Sequence, residues 1–137
     1  KIDKRARRFL KKSNLDYAHG TGHGVGFFLN VHEGPQSINK INTIKIKEGM
    51  ILSNEPGYYK ENKFGVRIEN LVYVKRESKK LLFENLTLVP IEKDLINFKL
   101  LNKFEKNYLF KYHFNIYSKL SEFLNQNEKK WLASFIY

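Results

Sequence analysis

His19-Gly20-Thr21-Gly22-His23-Gly24-Val25-Gly26, continued by Val31-His32-Glu33-Gly34-Pro35, is the stretch around which the rest of the chain is read. Three of the four histidines fall within it, and four glycines alternate through its first part. His19 and His23 are four apart, the spacing that stacks two ligands on one helix face. A helix is disfavoured, because each glycine costs about 1 kcal/mol relative to alanine in a helix interior. The glycines instead imply a backbone packed close to something, or one that uses positive φ. Val25 to Val31 reads as a strand carrying Phe27 and Phe28, closed by a turn at Gly34-Pro35.

Two islands downstream belong with this stretch: Ser53-Asn54-Glu55-Pro56-Gly57-Tyr58-Tyr59 and Gly65-Val66-Arg67-Ile68-Glu69-Asn70. Imidazole nitrogen with several carboxylate oxygens suits manganese, zinc, cobalt or ferrous iron, and a carboxylate-rich set leans toward manganese. A carboxylate bridges two metals at roughly 3.5–4 Å in dinuclear aminopeptidases. Histidines beside such a centre bind a tetrahedral intermediate or shuttle protons. Each residue has a plainer reading. Glu55 suits the exposed end of a strand. Glu69 lies in an apolar strand and needs a partner if buried. Arg67, two residues earlier on the same strand face, offers one. His113 reads as a structural histidine.

The chain has 137 residues, 42% hydrophobic and 15% aromatic, enough for one domain or part of one. It has no cysteine, which excludes disulfides and thiolate metal sites and points to a reducing, cytoplasmic compartment. No apolar run approaches the roughly 18 residues of a membrane span. The first residue is Lys1 and no apolar signal region follows, so the expectation is a start inside a longer protein. The formal net charge is +11. Its densest part, Lys1 to Lys12, reads as a solvated helix face. An RNA- or lipid-binding patch is the competing reading, but no aromatic-interleaved nucleic-acid motif accompanies the charge. Neither a nucleic acid nor a membrane is therefore expected as a partner.

Outward from the histidines, residues 2–12 form an amphipathic helix pattern through Ile2, Ala6, Phe9 and Leu10. Residues 36–48 read as a surface loop, 50–55 as a strand, and 58–62 as a connection. Residues 64–74 form the clearest strand pattern. A charged turn at 75–80 precedes short strands at 81–83 and 86–91. Asn102 with Glu105 matches a capping box opening a helix to about Leu124. Asn125 to Asn127 breaks it, and a last short helix runs from Glu128 to Ile136.

HGTGHGVG with VHEGP, then NEPGYY, then FGVRIEN, resembles the metallopeptidase family of the pita-bread fold, and within it the aminopeptidase P branch. The similarity runs across nearly the whole chain. LFENLTLVPI and the Trp131-Leu132 helix resemble that branch's C-terminal extension. The resemblance implies an α+β chain, the C-terminal half of a pita-bread fold, with a curved, mostly antiparallel sheet and covering helices. Residues 1–92 would be the peptidase portion and 93–137 the helical extension.

By the same resemblance His23, Glu55 and Glu69 are metal ligands, with Glu69 bridging and Glu55 also a candidate for proton transfer. His19 and His32 match substrate-contacting, catalytic histidines. Arg67 matches an arginine that holds the ligand carboxylates. Two divalent ions, manganese first and zinc or cobalt as alternatives, would activate a hydroxide that attacks the carbonyl before proline in Xaa-Pro peptides. Two further Asp ligands are expected upstream, because none of Asp3, Asp16 and Asp94 sits in a matching motif. The implied partners are such peptides, the N-terminal half of the catalytic domain and, through the C-terminal helices, a homodimer. The chain alone is expected to be inactive, to bind metal weakly and to expose apolar surface. The alternatives are a prolidase-like dipeptidase and a non-catalytic pita-bread module that holds peptides or proteins.

Overall fold

The computed structural model describes residues 1–28 and 30–136. The chain divides into two compact units, Lys1–Thr87 and Leu88–Tyr137.

The first unit opens with two short helices, α1 (Ile2–Ala6) and α2 (Arg8–Lys12). The expected single helix is interrupted at Arg7, whose side chain is drawn inward to Asp16 and to the carbonyls of Tyr17 and His19. Among the described residues the strands that follow are β1 (Gly22–His23), β2 (Ser37–Ile38), β3 (Ile51–Asn54), β4 (Gly57–Lys60), β5 (Phe64–Arg67), β6 (Asn70–Glu77) and β7 (Lys80–Asn85). They pair antiparallel as β1-β2, β3-β6-β7 and β4-β5. Ile38, Leu52, Val72 and Val74 form the buried core, with Ile46 and Met50 packed against it.

Further expectations change in the strands. Residues 25–28 and 30–31 form no strand, and Leu29 lies outside the described residues. Backbone bonds close a loop there instead. Gly24 N–H donates to Gln36 O, Glu33 N–H to Gly24 O and Gly26 N–H to Asn30 O. Phe27 and Phe28 stand exposed there. Second, residues 58–62 are largely strand β4 rather than a connection. Third, the long strand expected over 64–74 is split at Ile68-Glu69. Its partner strand is interrupted opposite, where Pro56 has no N–H to give to a ladder. Residues 86–91 also leave the sheet after Leu86 N–H bonds Leu71 O.

The second unit holds α3 (Lys103–Leu120) and α4 (Gln126–Ala133). Each starts with a full capping box, Asn102 with Glu105 and Asn125 with Glu128. The second was read only as a break. Tyr112, Ile116 and Leu132 are its buried cluster, with Leu88 and Ile91 against it. His113 is buried, and its Nε2 accepts the Ile91 N–H at 3.1 Å. Among the described residues no helix is long and apolar enough to cross a membrane.

Candidate metal centre

The break between the paired strands creates the site. Asn54 opposes Asn70, and Gly57 opposes Arg67. The register carries through the gap, so Glu55 lies opposite Glu69. Like charges placed directly opposite destabilise a strand pair. Here the two carboxylates flank one another, with Arg67 Nε 3.8 Å from Glu55 Oε2 and 3.6 Å from Glu69 Oε2.

β1 brings the imidazole. His23 N–H donates to Ser53 Oγ at 2.9 Å, and Glu55 N–H donates to Thr21 O at 2.8 Å. Gly24 bridges Leu52. This contact requires glycine at position 22, where a Cβ would stand 1.9 Å from the Ser53 carbonyl oxygen. Ser53 is fully buried, and its hydroxyl donates to Glu55 Oε1 at 2.9 Å. One side chain therefore fixes both the His23 backbone and the Glu55 carboxylate.

The His23 ring has a defined tautomer. Its Nδ1 stands 3.0 Å from the Gly24 carbonyl, which can only accept, so Nδ1 carries the proton. Nε2 is left with a lone pair, 3.1 Å from Glu55 Oε1. Two acceptors facing each other need a shared proton or cation between them. Two ligands each about 2.1 Å from one ion, at roughly a right angle, stand about 3 Å apart. Single ligand atoms of His23, Glu55 and Glu69 all lie within 4.8 Å of one another. The residues fit a divalent metal.

The other nominated residues surround this set. The His32 ring lies tilted beside that of His23, centroids 4.1 Å apart. His19 Nδ1 donates to Gly20 O at 2.7 Å, which turns its Nε2 toward the Tyr59 hydroxyl at 2.8 Å. Arg67 Nη1 donates to the same hydroxyl at 3.2 Å. That bond, followed by the Glu55 and Glu69 carboxylates, holds the Arg67 guanidinium above its ordinary range. All six residues singled out in the sequence thus lie in one neighbourhood. Ser53 and Tyr59 escaped notice. Ser53 stands two before Glu55 on the same strand face, a period-two signal that was available.

Behind the histidine loop lies a buried ionic cluster that was also missed. Arg7 Nε bonds both Asp3 oxygens at 2.9 and 3.0 Å, and Nη1 bonds Asp16 Oδ1 at 2.7 Å. Burial lowers the Arg7 value, but the bonds to Asp16 and Asp3 outweigh it and raise it overall. The Arg7 bond in turn holds the Asp16 carboxyl down at about 2. The available sequence signal was the Asp3–Arg7 spacing of four on a helix.

The fold and this constellation have counterparts. An X-prolyl aminopeptidase from Caenorhabditis elegans, described as a cytosolic enzyme with a di-nuclear active site, superposes with a TM-score of 0.91 at 39% identity over 99% of this chain and 24% of its own. A prolidase from Pyrococcus horikoshii matches with a TM-score of 0.56 at 33% identity, over 69% of this chain and 25% of its own. Xaa-Pro aminopeptidase 1 of Dictyostelium discoideum is 45% identical over 98% of this chain and 24% of its own length. The chain thus spans about a quarter of the length of the relatives it matches. The C-terminal region described for peptidase M24 matches residues 79–134. The profile of metallopeptidase family M24 itself covers residues 1–76, the portion that carries the opposed carboxylates and the oriented imidazole, and the chain belongs to that family.

Proposed function

We propose that the chain contributes the C-terminal part of the active site of an Xaa-Pro aminopeptidase, a metallo-exopeptidase that releases the residue before a proline. The observation that carries this is Glu55 set opposite Glu69, with His23 Nε2 turned onto the pair. His23, Glu55 and Glu69 would hold the metal, with two Asp from the N-terminal half of the domain completing a two-ion centre. Manganese is first choice for so carboxylate-rich a set. When bound, the ions supply Lewis-acid activation of water and of the scissile carbonyl.

The chain's own residues do the rest. Arg67 keeps the two carboxylates in place while no substrate charge is present. Glu55 stands ready to take a proton from the attacking water and pass it to the leaving proline nitrogen. His19 and His32 approach the carbonyl oxygen from the side of the histidine loop and stabilise its developing charge. The aminopeptidase reading is preferred to a prolidase because likeness to the nematode enzyme extends over 99% of the chain, against 69% for the prolidase. A cytoplasmic location accords with the cytosolic description of the nematode enzyme.

The test is manganese-dependent release of the first residue from an Xaa-Pro-Pro peptide, beside an Xaa-Ala-Pro control, with the N-terminal half of the domain restored. Release from the Xaa-Pro peptide alone is expected, lost on Glu69→Ala and absent from the 137-residue chain by itself. Cleavage confined to dipeptides would make it a prolidase. No cleavage by folded, metal-loaded protein would leave a peptide-holding module.

A homodimer through the second unit forms part of the same proposal. Phe104, Phe114, Phe123 and Trp131 all stand exposed there. Truncation after Leu101 should halve the sedimenting mass of the enzyme, and an unchanged mass would discard the dimer.

A further inference from the structure

Arg7 lies at the centre of a buried knot that nothing in the metal set requires. It is 3% exposed, and Asp3, Tyr17 and Thr21 around it are 5%, 4% and 0% exposed. Its guanidinium reaches in three directions at once. One edge grips Asp3. Nη1 bonds Asp16 and the Tyr17 carbonyl, the latter at 2.7 Å, and Nη2 bonds the His19 carbonyl at 2.6 Å. The plane also lies over the Tyr17 ring, 3.9 Å from its centroid. The opposite limit of the knot is Thr21. Its hydroxyl donates to Asp3 Oδ1 at 2.7 Å and accepts from the Tyr17 hydroxyl at 2.5 Å.

These contacts bracket His19. The carbonyl before Ala18 and the carbonyl of His19 itself are both tied to one rigid cation. The Tyr17 ring, held between Arg7 and Thr21, packs 4.8 Å from the His19 ring. The imidazole meets the Tyr59 hydroxyl at Nε2 and is anchored locally by Nδ1–H to the Gly20 carbonyl, whose 20–21 peptide lies between the His19 carbonyl bonded by Arg7 and the Thr21 side chain bonded by Asp3. A guanidinium presents five donors in a fixed plane, and an ammonium cannot reproduce that geometry.

We propose that Arg7 is a positioning residue for His19: through the carbonyls of Tyr17 and His19 on one side, and through Asp3 and the Thr21 hydroxyl on the other, it fixes both flanks of the peptide whose Gly20 carbonyl anchors the imidazole, and so selects the nitrogen presented to substrate. The role in catalysis rests on the aminopeptidase reading, whereas the tautomer does not. Arg7→Lys keeps the charge and removes the fork. In nitrogen-15 spectra of the 137-residue chain, with His19 assigned by its loss in His19→Asn, the single Nδ1–H tautomer should give way to a mixture in Arg7→Lys. Thr21→Val, which deletes only the hydroxyl between Asp3 and Tyr17, should shift the mixture in the same direction and decides the matter if Arg7→Lys does not fold. An unchanged His19 tautomer in the folded variant overturns the proposal.

In the Xaa-Pro assay Arg7→Lys should lower kcat/KM by about 10- to 100-fold. Combined with His19→Asn it should add nothing further, because its effect passes through His19. Multiplying losses would assign Arg7 a merely structural part and overturn its positioning role. A wild-type enzyme without activity would sink the aminopeptidase reading and leave the tautomer measurement to decide the positioning.

Discussion

Ser53 has neither charge nor metal affinity of its own, yet its hydroxyl joins two of the three metal-set residues. Replacing it with alanine removes the acceptor for His23 N–H and the donor to Glu55 Oε1 in one step. Supporting partners of this kind typically contribute 10- to 100-fold in metal affinity. Ser53→Ala in the complete enzyme is therefore expected to weaken manganese binding by about that factor, measured by titration calorimetry, while the fold persists. A variant that binds as tightly as wild type would show that the carboxylate needs no such support. At this scale the sequence was legible where a residue announces its chemistry by type. His19, His23 and His32 stood out by type and clustering, whereas Glu55 and Glu69 were nominated as ligands only through the family resemblance of their motifs. Ser53, Tyr59 and Arg7 did not, because beside any near partner each acts on a residue far away in the chain. Ser53 reaches His23, Tyr59 reaches His19, and Arg7 reaches across a helix end to the histidine loop.

Among the elements, the helices of the second unit carry their start signals locally. Each Asn cap accepts two N–H groups of its first turn, and the Glu three residues on reaches back to the cap N–H. Asn102→Ala and Asn125→Ala should each cost about 1 kcal/mol of stability, read from urea denaturation followed by helical circular dichroism. The first box was legible from its spacing, and the second had the same letters. The strands were harder to place. β4 and β5 form a hairpin that composition alone renders as a loop followed by a long strand. What divides it from β3 and β6 is a missing N–H at Pro56 facing Ile68, a pairing fact that a single strand's pattern does not contain. The glycine-histidine stretch misled differently. Its apolar run from Val25 looks like a strand, but backbone bonds at Gly24 and Gly26 close it into a loop.

Of the chain's two units, the second carries a titratable histidine in its interior. Burial pushes the His113 imidazole below its ordinary value, so the folded second unit keeps it neutral where the unfolded chain takes up a proton. Stability from this group is complete above the unfolded value near 6.5 and declines as pH falls from there toward the lowered folded value. Trp131, the single tryptophan, lies in this unit and reports on it. Its unfolding midpoint in urea should drop between pH 7 and pH 5, and His113→Gln should flatten that slope. An unaltered slope in the variant would place the pH response elsewhere. The twin capping boxes also govern time. Helix starts written in adjacent residues need no distant partner, whereas β1 must find Ser37–Ile38, Leu52 and Ser53 before it exists as a strand. Loop closure delays such non-local pairs. On dilution from denaturant, the helical signal of the second unit should therefore rise first, and the histidine loop should be among the last parts to settle, so that a newly made chain is shaped well before it is fit to take up metal.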